Sequence, residues 1–174
     1  TEITNDLNQL IKAVDYISMH TYPMHDTHYN PVFWHLKENE QSLSDKEKIN
    51  ALMLRSRDYA ISQYNSVVKY MKSIEVNKPV HIGETGWATQ CNEQYGGKGS
   101  KATDEYKSAR FYHLMREWSN QQKISCFYFE AFDENWKDSV NPGGSENHFG
   151  LINLDAQAKY VLWEAVDKGV FKGL

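Results

Sequence analysis

The stretch "VHIGETGWAT" ends an apolar run on a carboxylate, Glu84, and passes at once into a Gly-Trp turn. A carboxylate leaving the end of a strand-like segment is costly to bury unless neighbours hydrogen-bond it or chemistry employs it. A second concentration of charge lies in "FEAFDENWK", where Glu130, Asp133, Glu134 and Lys137 fall within eight residues, and Glu146 and His148 follow a loop away. Acids this close repel, so Lys137 must offset them or one must keep its proton. A third set, His20, Tyr22, His25 and His28, follows another apolar run. No helix register brings these histidines to one face, so His20 and Tyr22 read as hydrogen-bonding wall residues rather than metal ligands. His81 reads as a core histidine.

These groups need elements to position them. Leu7, Leu10, Ile11 and Val14 have helical spacing and imply a helix with one covered face. "YISMHTYP" reads as a strand ended by Pro23, followed by a long polar and aromatic loop through "MHDTHYNPVFWHLKENEQ". Ser44 and Glu47 have the spacing of a capping box, and helical periodicity then runs from Ile49 to about Ser73. "KPVHIGE" is the second strand, with alternation placing Val80, Ile82 and Glu84 on one face and His81 and Gly83 on the other. A helix starting near Thr103 carries the stripe Phe111, Leu114, Met115 and Trp118, "ISCFYFEAF" is the third strand, and a last helix ends at Gly169.

Strands alternating with helices imply parallel pairing, and every long, chemically rich segment follows a strand. That polarity belongs to α/β folds, the eight-stranded barrel in particular. No glycine-rich phosphate motif follows any strand. The 174 residues are 40% hydrophobic and 24% charged with a net charge of -4, so no basic face awaits nucleic acid, and no apolar run reaches the roughly 20 residues of a membrane span. Cys91 and Cys126 read as unpaired. Aromatic residues make up 13% of the chain, and many lie in loops, where their faces suit stacking on sugar rings.

"GETGW", followed by "FEAFDENWK" and "ENHFGL", resembles glycoside hydrolase family 17, the β-1,3-glucanase and glucan transglycosylase family. The resemblance implies an α/β fold: the C-terminal part, about strands six to eight with their helices, of a (β/α)8 TIM barrel, with residues 1–174 as part of one catalytic domain. It implies a retaining glycoside hydrolase acting on β-1,3-glucan, with Glu84 as catalytic nucleophile. The family's auxiliary cluster carries over onto Glu134, Lys137 and Glu146, and its strand-end tyrosine onto Tyr22. His20, Trp87, Glu130, Trp136 and, less directly, Trp34 complete the expected substrate surface. Ala88 and Thr89 depart from the usual Pro and Ser after the tryptophan, which bears on loop rigidity.

Retention needs a second carboxyl group roughly 5–5.5 Å from the nucleophile. The Asn-Glu pairs at Asn39-Glu40 and Asn92-Glu93 lie in polar stretches after the wrong strands and are rejected for that role. The expectation is therefore a chain inactive by itself, whose partners are a β-1,3-glucan and a missing N-terminal barrel half or second chain. Neither cofactor nor metal, nucleic acid nor membrane span is expected, and a polymeric substrate implies a secreted, periplasmic or cell-surface location. The alternatives are a non-catalytic glucan-binding or interaction module, a β-1,3-glucan transglycosylase, and an unrelated α/β enzyme with similar loops.

Overall fold

The computed structural model describes residues 2–173. Three parallel strands, β1 (Ile17–His20), β2 (Val80–Thr85) and β3 (Cys126–Tyr128), form a sheet in the order β1-β2-β3. Helix α1 (Glu2–Ala13) precedes β1, α2 (Pro23–Tyr29) and α3 (Asp45–Ser73) link β1 to β2, α4 (Glu105–Gln122) links β2 to β3, and α5 (Tyr160–Asp167) closes the chain.

Helix limits follow local chemistry. Ser44 and Glu47 form the expected capping box at the start of α3, and the Asp104 carboxylate accepts from the Lys107 amide at the start of α4. The α1 C-terminus is held from outside: Lys78 Nζ donates to the carbonyls of Ile11, Lys12 and Val14, placing a cation at the negative end of the helix.

α3 and α4 cover one face of the sheet. Ile82 is fully buried beneath them with Met53, Ala60, Phe111 and Met115. The larger of these side chains, Ile82, Met53, Phe111 and Met115, each contribute about 1.5–3 kcal/mol relative to exposure. The opposite face is open: Ser18 and His20 of β1 and Phe127 of β3 are exposed on it. Parallel sheets are ordinarily covered on both faces.

Four expectations are corrected. The loop after β1 is partly helical, because Pro23 with its fixed φ starts α2 and Pro31 starts a 3-10 turn, Pro31–Trp34. The helical stripe of α1 buries only Ile11; Leu7 and Leu10 stay exposed, since no described element packs on that side. Ile82, which three parallel strands standing alone are expected to leave open on an uncovered inner face, lies instead beneath the helices. The third strand is shorter than "ISCFYFEAF". Beyond Tyr128 the Phe129 amide still donates to the Thr85 carbonyl at 2.7 Å, and the Phe129–Glu130 peptide is cis. Residues 130–133 then exchange backbone hydrogen bonds with 149–152, because those loop strands offer the donors and acceptors the sheet does not.

Candidate active site

A register irregularity in β2 decides where Glu84 sits. Met19 pairs with Ile82, but the next residue, His20, pairs with Glu84, so β2 has one residue more than β1 over this step. Simple alternation would place Glu84 with Val80 and Ile82, under the helices. The extra residue returns it to the open face with His20, correcting the expected facing. Gly83 lies in the step, where a Cβ would stand 2.0 Å from Ser18 Oγ.

On that face His20 Nδ1 lies 3.3 Å from Glu84 Oε2, and the Tyr22 hydroxyl donates to the same oxygen at 2.9 Å. Both contacts therefore fall on Oε2. The Glu84 side chain is 39% exposed, and neither contact commits Oε1. Tyr22 is fixed in turn by His25, stacked on it at 5.3 Å, and by Phe149 and Phe129 edge-on at 5.8 and 6.3 Å. Burial, then the Glu84 carboxylate, push the Tyr22 phenol well above its usual range, so it remains a protonated donor. Burial holds the His25 imidazole below its ordinary value, against the pull of Glu146 and Asp26.

Beside this lies a carboxylate pair bridged by a lysine. Lys137 Nζ reaches Glu130 Oε2 and Glu134 Oε2, each at 2.9 Å, and sits 3.8 Å above the Phe129 ring. Burial raises Glu130 to about 7; the hydrogen bond to Lys137 opposes the rise and Glu134 reinforces it. Lys137 holds Glu134 below the usual carboxylate range, and the two acids lift Lys137 against burial. Glu130 Oε1 is buried without a partner. The Tyr22 phenol feels Glu84, Glu146 and Glu130 together, which makes these acids one electrostatic neighbourhood.

The expected site residues divide. Glu84, His20 and Tyr22 are in contact, and so are Glu130, Glu134 and Lys137. Glu146 lies exposed on the 3-10 turn Ser145–Asn147 and is not among the ion-pair partners of Lys137. Trp136 is 68% exposed beside Lys137, a face open to a ring. Trp87 is wholly buried: its indole donates to the Ala102 carbonyl and it packs between Trp34 and Phe111, so the stacking role expected of it is replaced by packing. Trp34 is buried as well, donating to the Ser100 carbonyl. Arg55 engages both oxygens of Glu40, one of which also accepts the Lys37 amide, so that carboxylate ties down a loop.

Sequence reasoning missed the support beneath the site. Lys159 Nζ donates to Asp133 Oδ1 at 2.7 Å and Thr89 Oγ1 at 2.8 Å, both ion-pair side chains being 6% exposed. Asp133 Oδ1 also accepts the Gly150 amide at 2.9 Å. This joins the loops after β2 and β3 to the start of α5 and fixes Phe149, which packs on Tyr22. Phe149 lay inside a quoted motif, but nothing in the spacing marks Lys159 as the partner of Asp133. Cys91 and Cys126 are free thiols. Among the described residues no group of three or more His, Cys, Asp or Glu side chains could hold a metal ion.

Comparison with known proteins fits this geometry. A crystal structure of an endo-laminarinase from Formosa Hel1_33_131 is 63% identical with a TM-score of 0.95, the match covering 97% of this chain and 43% of that one. A glucan 1,3-beta-glucosidase of Arthroderma benhamiae is 34% identical over 87 residues, 47% of this chain and 27% of that protein. Glucan endo-1,3-beta-glucosidase 8 of Arabidopsis thaliana is 26% identical over 170 residues, 88% of this chain and 33% of its own length. The chain thus spans less than half of each of these relatives. The family model for glycosyl hydrolases family 17 matches residues 56–163, and the chain, with one motif at the end of β2, one at the end of β3 and a third in the loop that follows β3, belongs to that family.

Proposed function

We propose that this chain is the nucleophile-bearing, C-terminal part of a retaining β-1,3-glucanase, its three strands being about the sixth to eighth of a (β/α)8 barrel. The observation that carries the reading is the held carboxylate of Glu84: Tyr22 and His20 share Oε2, and Oε1 is uncommitted on the open face. A nucleophile needs this arrangement, in which one oxygen is oriented and the other attacks. The open sheet face and the uncovered stripe of α1 support a barrel that further strands and helices complete.

In the complete enzyme, a Glu84 oxygen bonds to the anomeric carbon of a β-linked glucose as the bond from that carbon to the leaving oxygen breaks. The leaving oxygen takes its proton from an acid supplied by the rest of the barrel. Water or a sugar hydroxyl then attacks the same carbon, gives its proton to that group, now a base, and releases Glu84. Hydrolysis and transglycosylation differ only in that acceptor. Lys137 holds Glu134 as an acceptor for sugar hydroxyls, and Trp136 offers a stacking face. No residue here requires a metal or organic cofactor for these steps. The 63% identity to an endo-laminarinase supports a β-1,3-glucan as substrate, and a polymer of that kind is met outside the cytoplasm. No helix of the described residues is long and apolar enough to cross a membrane.

The test is Glu84→Gln in the full-length protein, assayed on laminarin. Turnover should fall on the order of 10⁴-fold while glucan binding persists; unchanged turnover removes Glu84 from the role. Binding with no turnover in the unaltered full-length protein would favour the glucan-binding module instead.

A further inference from the structure

Away from the residues that contact Glu84, exposed aromatic side chains line a groove of about 330 Å³ between α4 and α5. Its walls carry Tyr106, Tyr160 and Trp163, and the last two are 42% and 53% exposed. The Tyr106 and Tyr160 rings lie 6.2 Å apart, and Tyr160 meets Trp163 edge-on at 5.3 Å.

The Trp163 and Tyr106 side chains are tethered, and the backbone that carries Tyr160 is held as well. The Trp163 indole donates to the Ala158 carbonyl at 3.0 Å, the Tyr106 hydroxyl donates to Asn50 Oδ1 at 3.0 Å, and the Tyr160 amide donates to Glu105 Oε2 at 2.8 Å. An aromatic face already held in place loses little conformational freedom when a ligand covers it. Polar groups line the same groove, among them Lys46, Glu164 and Arg110, and Arg110 Nε is buried without a hydrogen-bond partner. An unpaired buried donor is uncommon, because it forfeits its hydration. Aromatic faces set among charged hydrogen-bonding groups match the apolar C–H faces and equatorial hydroxyls of a β-linked sugar better than they match a purely apolar partner.

Position argues for the same ligand. Helices of α/β units run back against their strands, so the first turns of α3, α4 and α5 lie at the end of the sheet where the strands finish. Lys46, Tyr106 and Tyr160 all occupy these first turns, and Glu84 lies at the end of β2. The groove therefore opens on the helix side at the same end of the sheet as Glu84, and it shares none of the residues that contact Glu84.

We propose that the Tyr106–Tyr160–Trp163 groove is a second carbohydrate site, which holds a remote stretch of the β-1,3-glucan and keeps the polymer near the end of the sheet where Glu84 works. The choice of sugar rests on the function proposed above.

The experiment compares the full-length protein with its Trp163→Ala and Tyr160→Ala variants in two assays, partition onto insoluble β-1,3-glucan and cleavage of a short soluble laminari-oligosaccharide. Partition should weaken on the order of ten-fold in the Trp163→Ala variant, with oligosaccharide cleavage and thermal stability unchanged. Unaltered partition in both variants overturns the proposal, and so does a parallel loss of oligosaccharide cleavage, since the groove would then not be separate from the reacting site. Glu84→Gln, run alongside, keeps the two readings apart. If it retains turnover while Trp163→Ala loses partition, the second site stands and the nucleophile assignment falls. If the unaltered protein does not partition onto the glucan at all, the second site falls whatever Glu84 does.

Discussion

At the scale of single residues, the site is governed by which carboxyl groups are charged. Glu84 has its oriented oxygen between a phenol and an imidazole, whereas Glu130 lies deeper, with one oxygen on Lys137 and the other unpaired. Burial lifts Glu130 from 4.5 to about 7, so between these values the folded protein binds this proton and the unfolded chain does not. Its contribution to stability is thus fully present at low pH and declines as pH rises from about 4.5 to about 7. Glu130→Gln removes that titration. The melting temperature of the variant relative to the unaltered protein should therefore climb steadily across this window, measured by calorimetry at several pH values. A difference that stays flat or falls with pH would show that Glu130 is charged in the folded protein throughout.

At the scale of elements, the strand ends are held at a separation that leaves no room for a side chain. Gly86 follows β2, and a Cβ placed there would stand 2.2 Å from the Phe129 carbonyl oxygen and 3.1 Å from the Phe149 ring. The obstacle is backbone, which cannot rotate away. Gly86→Ala should therefore force the ends of β2 and β3 apart, at a cost of about 1–3 kcal/mol. Because the Phe129 amide bonds to the Thr85 carbonyl across this gap, the same change should loosen Phe129 beneath Lys137. Urea unfolding of the full-length protein gives the first effect. Amide exchange at Phe129 gives the second, and exchange no faster than in the unaltered protein would contradict it.

At the scale of the whole molecule, one buried ion pair joins segments far apart in the chain. Lys159 and Asp133 connect the loops after β2 and β3 to α5, with the hydroxyl of Thr89 and the amide of Gly150 completing the set. His148 and Lys159 hold the Asp133 carboxyl below its ordinary value although burial opposes them. Lys159→Met strands that carboxylate in a site only 6% exposed and should cost about 3–5 kcal/mol. The double variant Asp133→Leu/Lys159→Met should recover part of the loss, but not all of it, because the Gly150 amide is then left unpaired. Chemical denaturation of the single and double variants measures both, and a double variant no more stable than Lys159→Met would contradict this account.

The sequence by itself determined the order of the strands and the longer helices, the cap of α3, and the strand-end position of Glu84, because capping, periodicity and strand alternation act between residues close in the chain. Tertiary structure alone decided which face Glu84 occupies, since the extra residue in β2 exists only in pairing with β1. It also decided that Trp87 and Trp34 pack while Trp136 stays open, and that Glu130, rather than Glu146, shares Lys137 with Glu134. The Lys159–Asp133 pair, 26 residues apart, was invisible for the same reason: local rules carry no information about which distant groups a fold will bring together in a space that excludes water.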